Sequence, residues 1–187
     1  MTRQRTQLVR DRASVLNRIQ KVLEGANIKL SSVVSQIDGV SSRAILEELV
    51  ADHLNLAQLE GLVHGRLRDK LPELEQALSG RVRPHHRFLL AQHLAHLDFL
   101  DEQIAAYSRE VERLTAPFDE LVELLDTIPG VARTTAELIL AEVGPDLSRF
   151  PTANHLASWA GLVPGNNESA GKRLSGKMRQ GSHWLRV

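Results

Sequence analysis

Cysteine is absent from this sequence, which excludes both a disulfide framework and a thiolate metal site and fits a reducing compartment. Aromatic residues are scarce at 4%, so a core must be assembled from Leu, Val, Ile and Ala. That favours helices packed on helices. No apolar run approaches the roughly 18 residues a membrane span requires, and the opening stretch MTRQRTQLVRDR lacks the apolar centre of a secretion signal. The reading is a cytoplasmic protein with no membrane partner. Net charge is missing too: 23 Lys and Arg balance 23 Asp and Glu. Any case for nucleic acid must therefore rest on where the charges lie.

They lie unevenly. Residues 1–30 hold seven basic and two acidic side chains, residues 161–187 hold five and one, and residues 98–126 hold two and nine. The ends are basic and the middle is acidic, the latter reading most simply as a solvated helix face.

Over the first eighty residues the pattern predicts a set of small helices. Leu8, Val15, Ile19 and Val22 recur at helical spacing, with Gly25 placed to end that helix. IKLSSVVSQIDG predicts a short helix, and Ser41–Ser42 are placed to cap the next one, SRAILEELVADHL. Further short pieces follow, punctuated by Gly65, Pro72 and Gly80. After Pro84, Leu90, Leu97, Ile104, Val111, Phe118 and Leu125 stand seven apart, with His93, Leu100, Tyr107, Leu114 and Leu121 between them. This predicts a coiled-coil seam of about five repeats that needs a partner, either a second helix of this chain or another copy. Pro117 should interrupt it. The predicted fold is all-α: a helical linker over 1–80, a coiled-coil helix over 81–124 and a small domain over 125–187 ending in a glycine-rich basic tail.

Two stretches carry candidate chemistry. IPGVARTTAELI, within 125–144, has the layout of a helix-hairpin-helix: an apolar helix end, a tight turn at Gly130, and a helix opening with a T-x-x-E capping box at Thr134 and Glu137. That helix should stop at Gly144–Pro145, and TANHLASWAGL predicts one more. Backbone N–H groups at the turn suit a DNA phosphate, with Arg133 as a further contact, although Ala132 stands where a second glycine would be better. A plain αα-hairpin would share this pattern. The tail GNNESAGKRLSGKMRQGSHWLRV holds Lys172, Arg173, Lys177, Arg179 and Arg186, and reads as loop or weak hairpin. A serine there could attack a phosphodiester whose developing charge those cations neutralise, and Gly171 would permit close backbone approach. Ser169, Ser175 and Ser182 are equally eligible on spacing, and a simple binding loop fits as well. The histidines 85, 86, 93 and 96 share no convincing ligand face with an acid. Pairs such as Asp98 with Asp101–Glu102, or Asp119 with Glu123, read as surface charge, so no metal site is expected.

The block LLDTIPGVARTTAELILAEVGPDLSRFPTANHLASWAGLVPGNNESAGKRLSGKMRQGSHWLR resembles the C-terminal transposase domain of the insertion-sequence family numbered one hundred and ten, whose elements use a DEDD-type, bridge-RNA-guided recombinase. The stretches LVRDRASVLNRIQKVLEGANIKLSSVVSQIDGVSSRAILEEL and HHRFLLAQHLAHLDFLDEQI resemble the same family's linker and coiled-coil regions. The resemblance implies a DNA transposase whose serine, matching Ser169 in NNESAGK, attacks a DNA phosphodiester and forms a covalent phosphoserine link. Gly130, Arg133, Thr134, Lys172, Arg173, Lys177 and Arg179 would hold DNA. It also implies magnesium held by four acidic residues of a RuvC-like domain, and a bridge RNA with donor and target DNA as partners in a multimer. That acidic domain should precede TQLVRDRASVLNR and the family's last domain ordinarily continues past GSHWLR, so the expectation is a product truncated at both ends and inactive alone. The alternative is a non-catalytic module that binds DNA or RNA and dimerises through the coiled coil.

Overall fold

The structure is a computed structural model that describes residues 1–55, 58–163, 167–175, 181 and 183–185, with the backbone alone for 167–169, 173–175 and 183. The described residues form helices α1 (Thr2–Gly25), α2 (Val40–Ala51), α3 (Leu59–Leu62), α4 (Leu71–Leu78), α5 (Pro84–Thr115), α6 (Asp119–Asp126), α7 (Arg133–Val143) and α8 (Ala153–Ala160), and a hairpin of β1 (Asn167–Ser169) and β2 (Lys172–Ser175). A mostly helical chain was expected, and the short hairpin is the one departure from all-α among the described residues. The chain divides into two compact units, Gln7–Ala105 and a tail unit of Met1–Thr6 with Ala106–Val187.

The Gln7–Ala105 unit is organised by apolar burial. Val15, Ile19 and Leu23 of α1 and Leu90, Leu94, Leu97 and Leu100 of α5 join Ile45, Leu46, Leu59 and Leu74 in one buried cluster. Each fully buried aliphatic side chain contributes on the order of 1.5–3 kcal/mol. This stretch of the seam is thus covered from within the chain, by helix-period positions that include Leu94 rather than the heptad position His93. A straight helix drifts off a strict seven-residue repeat, and here nothing holds it to one.

Two expectations for this unit need correction. IKLSSVVSQIDG forms only a 3-10 turn at Leu30–Ser32 followed by bends, since the serines and β-branched valines weaken a helix while burial of Ile28 and Leu30 fixes the path. Ser41 and Ser42 do not cap α2. Its cap is Gly39, with no side-chain bond, and the two serines sit inside the first turn, largely buried. The Ser42 hydroxyl donates to the Gln36 carbonyl at 2.8 Å, and the Ser41 Oγ accepts the His64 backbone N–H at 3.0 Å. They tie neighbouring loops to the helix start instead. Gly80 is more than punctuation: a Cβ there would lie 2.4 Å from the Ala26 carbonyl oxygen, and the stitch is completed by Arg81 N–H donating to Ala26 O and Lys29 N–H to Ala77 O.

Among the described residues, the tail unit has a smaller apolar cluster. Val122 of α6 packs with Ala136 and Leu140 of α7, flanked by Leu121, Leu125 and Val131. Pro117 ends the long helix as expected, because α5 stops at Thr115 and a 3-10 turn, Ala116–Phe118, intervenes before α6. The seam does not continue as one stripe, since Leu114 and Phe118 are exposed while Val111 is buried. Helix α7 ends at Gly144 with φ +85°, and α8 runs from its cap Thr152 to Gly161 with φ +71°. Both glycines occupy backbone regions that a side chain disfavours. Gly181 abuts the same turn, where a Cβ would fall 2.3 Å from the Gly161 nitrogen.

Candidate nucleic-acid interface

The turn between α6 and α7 is built by its sequence. In Ile128–Val131, Pro129 sits at the second position and Gly130 at the third with φ +86°, and the Val131 N–H donates to the Ile128 carbonyl at 2.9 Å. Pro followed by a positive-φ Gly is the signature of a type II turn. Gly130 is exposed, and a Cβ there would meet nothing within 4 Å, so its conformation rather than a close approach demands glycine. A cavity of ≈ 290 Å³ backs the turn, bounded by Pro129, Gly130 and Thr135 on one side and Trp184 and Leu185 on another.

The expected capping box is not formed. Helix α7 starts at Arg133 with Ala132 as its cap and no side-chain capping bond. Glu137 is drawn elsewhere: its carboxylate, 5% exposed, meets the equally buried Arg5 at 2.8 Å and Arg133 at 3.4 Å. Arg5 also donates to the Thr134 carbonyl at 3.3 Å. Arg133 in turn holds Asp119 of α6 at 2.7 Å, and this hydrogen bond raises the Arg133 pKa above its ordinary value. The result is an alternating chain of charges, Asp119–Arg133–Glu137–Arg5, whose Glu137–Arg5 end is buried and whose Asp119 end is open to solvent. Arg3 makes a bidentate pair with Glu142 at 2.6 and 2.8 Å and stands 5.9 Å over the Trp184 ring.

Sequence reasoning missed this network. The sequence shows only that the N-terminal end is basic, whereas in the structure Arg3 and Arg5 are matched by Glu142 and Glu137, and Arg12 by Asp38 and Asp101. The acidic middle is likewise partly consumed within the chain, with Asp98 paired to Arg43 and Asp119 to Arg133. The unusual count of arginines at one end and acids in the middle was the available signal. Among the described residues no three His, Asp or Glu side chains gather as a metal ion would require.

At the other candidate stretch, β1 and β2 pair antiparallel with Ser169 directly opposite Lys172 and Glu168 opposite Arg173, and an irregularity between Asn167 and Glu168. The connection is Ala170–Gly171, with φ +52° and +73°. Positive φ at both central positions marks a type I′ turn, whose twist suits a two-residue hairpin. Ala170 bears a Cβ in this left-handed region, which costs about 1 kcal/mol. Gly171 meets nothing within 4 Å of a Cβ, so within the chain its positive φ is what favours glycine. Lys172 is exposed. The side chains of Ser169, Arg173 and Ser175 lie outside the described residues, as do Ser182, Lys177 and Arg179 entirely.

Residues 122–187 match the Transposase IS116/IS110/IS902 family. That segment contains the α6–α7 turn and the β1–β2 hairpin. Similar proteins include a "Putative transposase y4pF/y4sB" of Sinorhizobium fredii, 29% identical over 97% of this chain and 38% of its own length. An "Insertion element IS110 uncharacterized 43.6 kDa protein" of Streptomyces coelicolor is 37% identical over 42% of this chain and 20% of its own length. A "Pilin gene-inverting protein" of Moraxella bovis is 33% identical over 38% of this chain and 25% of its own. The chain therefore spans less than half the length of these curated relatives. No solved structure matches it.

Proposed function

We propose that this chain acts in DNA transposition as the C-terminal part of an insertion-sequence transposase, with Ser169 as the nucleophile. The observation that carries the reading is the hairpin register: Ser169 ends β1 opposite Lys172, across a turn whose first residue, Ala170, is held in a conformation disfavoured for any residue with a Cβ. Strain of this kind concentrates at functional positions. In the reaction an Oγ–P bond forms as the phosphorus–oxygen bond to a DNA sugar breaks, and the serine proton passes to the departing sugar oxygen. Lys172, with Arg173, Lys177 and Arg179, would neutralise the phosphate as its charge rises.

The α6–α7 turn, with Gly130, Arg133 and Thr134, would hold a neighbouring phosphate. Arg133 can exchange Asp119 for DNA at little cost, since that ion pair is half exposed and solvent screens it. By the resemblance, the partners are element and target DNA, a bridge RNA and a magnesium-holding acidic domain. The exposed Leu114 and Phe118 are where a second copy could pack.

The test is covalent capture. The chain, mixed with a separately supplied acidic domain of the same family and DNA bearing an element end, is denatured and examined for a protein–DNA adduct. The wild type should form one, Ser175→Ala should keep it, and Ser169→Ala should lose it. An adduct that survives Ser169→Ala, or none from the wild type, rejects the assignment.

A further inference from the structure

The Gln7–Ala105 unit, outside the segment that matches the transposase family, carries an open cavity of ≈ 410 Å³ between residues 33–42 and the turn Gly65–Lys70. Val33, Val34 and Leu67 give it apolar lining, while His64, Arg66 and Lys70 line it with no carboxylate among the lining residues. Arg66 and Lys70 are exposed. Asp69, on the same turn, does not line the cavity. A further donor comes from the wall: Ser41 is nine-tenths buried there, at 9% exposure. Because its Oγ accepts the His64 N–H, its own hydrogen remains to be donated, and it meets no acceptor among the described residues. Ser42 beside it differs, having already given its proton to Gln36. Helix α2 also starts at this cavity without a side-chain cap.

Cations, an undirected buried hydroxyl and the absence of acid together describe a receptor for an oxyanion. The apolar lining and the volume exceed what a bare phosphate would fill. We infer that this cavity binds one sugar–phosphate unit of a nucleic-acid strand, with the phosphate on Arg66, Lys70 and the Ser41 hydroxyl, and the sugar or base against Val33, Val34 and Leu67. The identity of the partner rests on the nucleic-acid reading above; the cavity's chemistry does not. It gives the chain a grip on the strand separate from the α6–α7 turn and the β1–β2 hairpin.

The experiment titrates the full chain with a fluorescent single-stranded DNA oligonucleotide over a range of salt. Arg66→Gln with Lys70→Gln should weaken binding about ten-fold and make the salt slope shallower by about 0.7, the share of the one phosphate that the two cations neutralise on a single strand. Arg18→Gln with Lys21→Gln, an equal charge change on the exposed side of α1, should do clearly less. An equal weakening in both variants would reduce the effect to bulk charge and overturn the inference, as would no weakening in the first. Ser41→Ala should cost a smaller factor without altering the slope. Backbone resonances of Gly39–Ser42 and Gly65–Lys70 should move with the oligonucleotide; movement with inorganic phosphate alone, and none with the strand, would reject a nucleic-acid ligand. Arg133→Ala separates the two readings, because weakened binding there with no effect at Arg66 and Lys70 sinks only the present inference, and the reverse sinks only the α6–α7 contact.

Discussion

The two units solve the same problem with different means. Among the described residues, seventeen buried residues of Gln7–Ala105 form one apolar cluster, whereas the cluster of α6 and α7 in the tail unit has three. Both units carry ion pairs, but those of Gln7–Ala105, such as Arg12–Asp38 and Arg43–Asp98, are partly exposed, whereas Arg5–Glu137 in the tail unit is buried on both sides. Apolar packing tolerates any residue of suitable shape, but a buried ion pair demands its partner. The unit proposed to carry the nucleophile is thus the one that places a buried ion pair beside its apolar cluster.

The sharpest way to break this comparison is Arg5→Met. It should destabilise the tail unit by about 3–5 kcal/mol in urea unfolding, because Glu137 would be left buried without its main counter-charge, and adding Glu137→Met should recover most of the loss. Full stability in Arg5→Met would show that the pair carries no such weight. Next, Ile19→Ala should cost about 3 kcal/mol by opening a cavity in the larger cluster, and Leu140→Ala in the tail unit about 2 kcal/mol, since its surroundings collapse more easily. Equal losses would remove the contrast between the two cores.

A smaller effect tests His93, a half-buried histidine of α5 in the larger unit. Desolvation lowers its pKa below 6.5, with Arg18 and His96 acting in the same direction. A histidine whose folded pKa is depressed binds fewer protons folded than unfolded, so its contribution is intact above 6.5 and declines as pH falls through the folded value. Acidification from pH 7 towards 5 should therefore lower stability, and His93→Gln should flatten that slope; an unchanged slope contradicts the assignment. The smallest effect is Thr134→Ala, expected within about 0.5 kcal/mol. A capping threonine would cost about 1 kcal/mol, so a loss of that size would restore the capping box that Ala132 displaces here.

That capping box illustrates what could be read in advance. Local signals located the end of α7 at Gly144, the start of α5 at Pro84 and its interruption at Pro117, because a glycine with positive φ or a missing N–H acts where it stands. Glu137 was misjudged because its partner, Arg5, lies at the far end of the chain and no local pattern announces it. Ser41 and Ser42 were misjudged for a related reason: both satisfied the rule for a cap, yet the loops at Gln36 and His64 offered them better-placed partners. At the candidate site, the Gly130 turn was legible from Pro-Gly, while the type I′ turn at Ala170–Gly171 was not, since alanine rarely adopts that conformation.

Gly61 and Gly80 look alike in the sequence, but only one of them is under steric prohibition. Around Gly61 there is open space, and at Gly80 the first atom of any side chain would collide with the Ala26–Asn27 backbone. A library randomised at both positions and selected for a folded product should return many amino acids at 61 and a single one at 80. Drift among descendants of this chain would leave the same mark, a fixed glycine far from any chemistry.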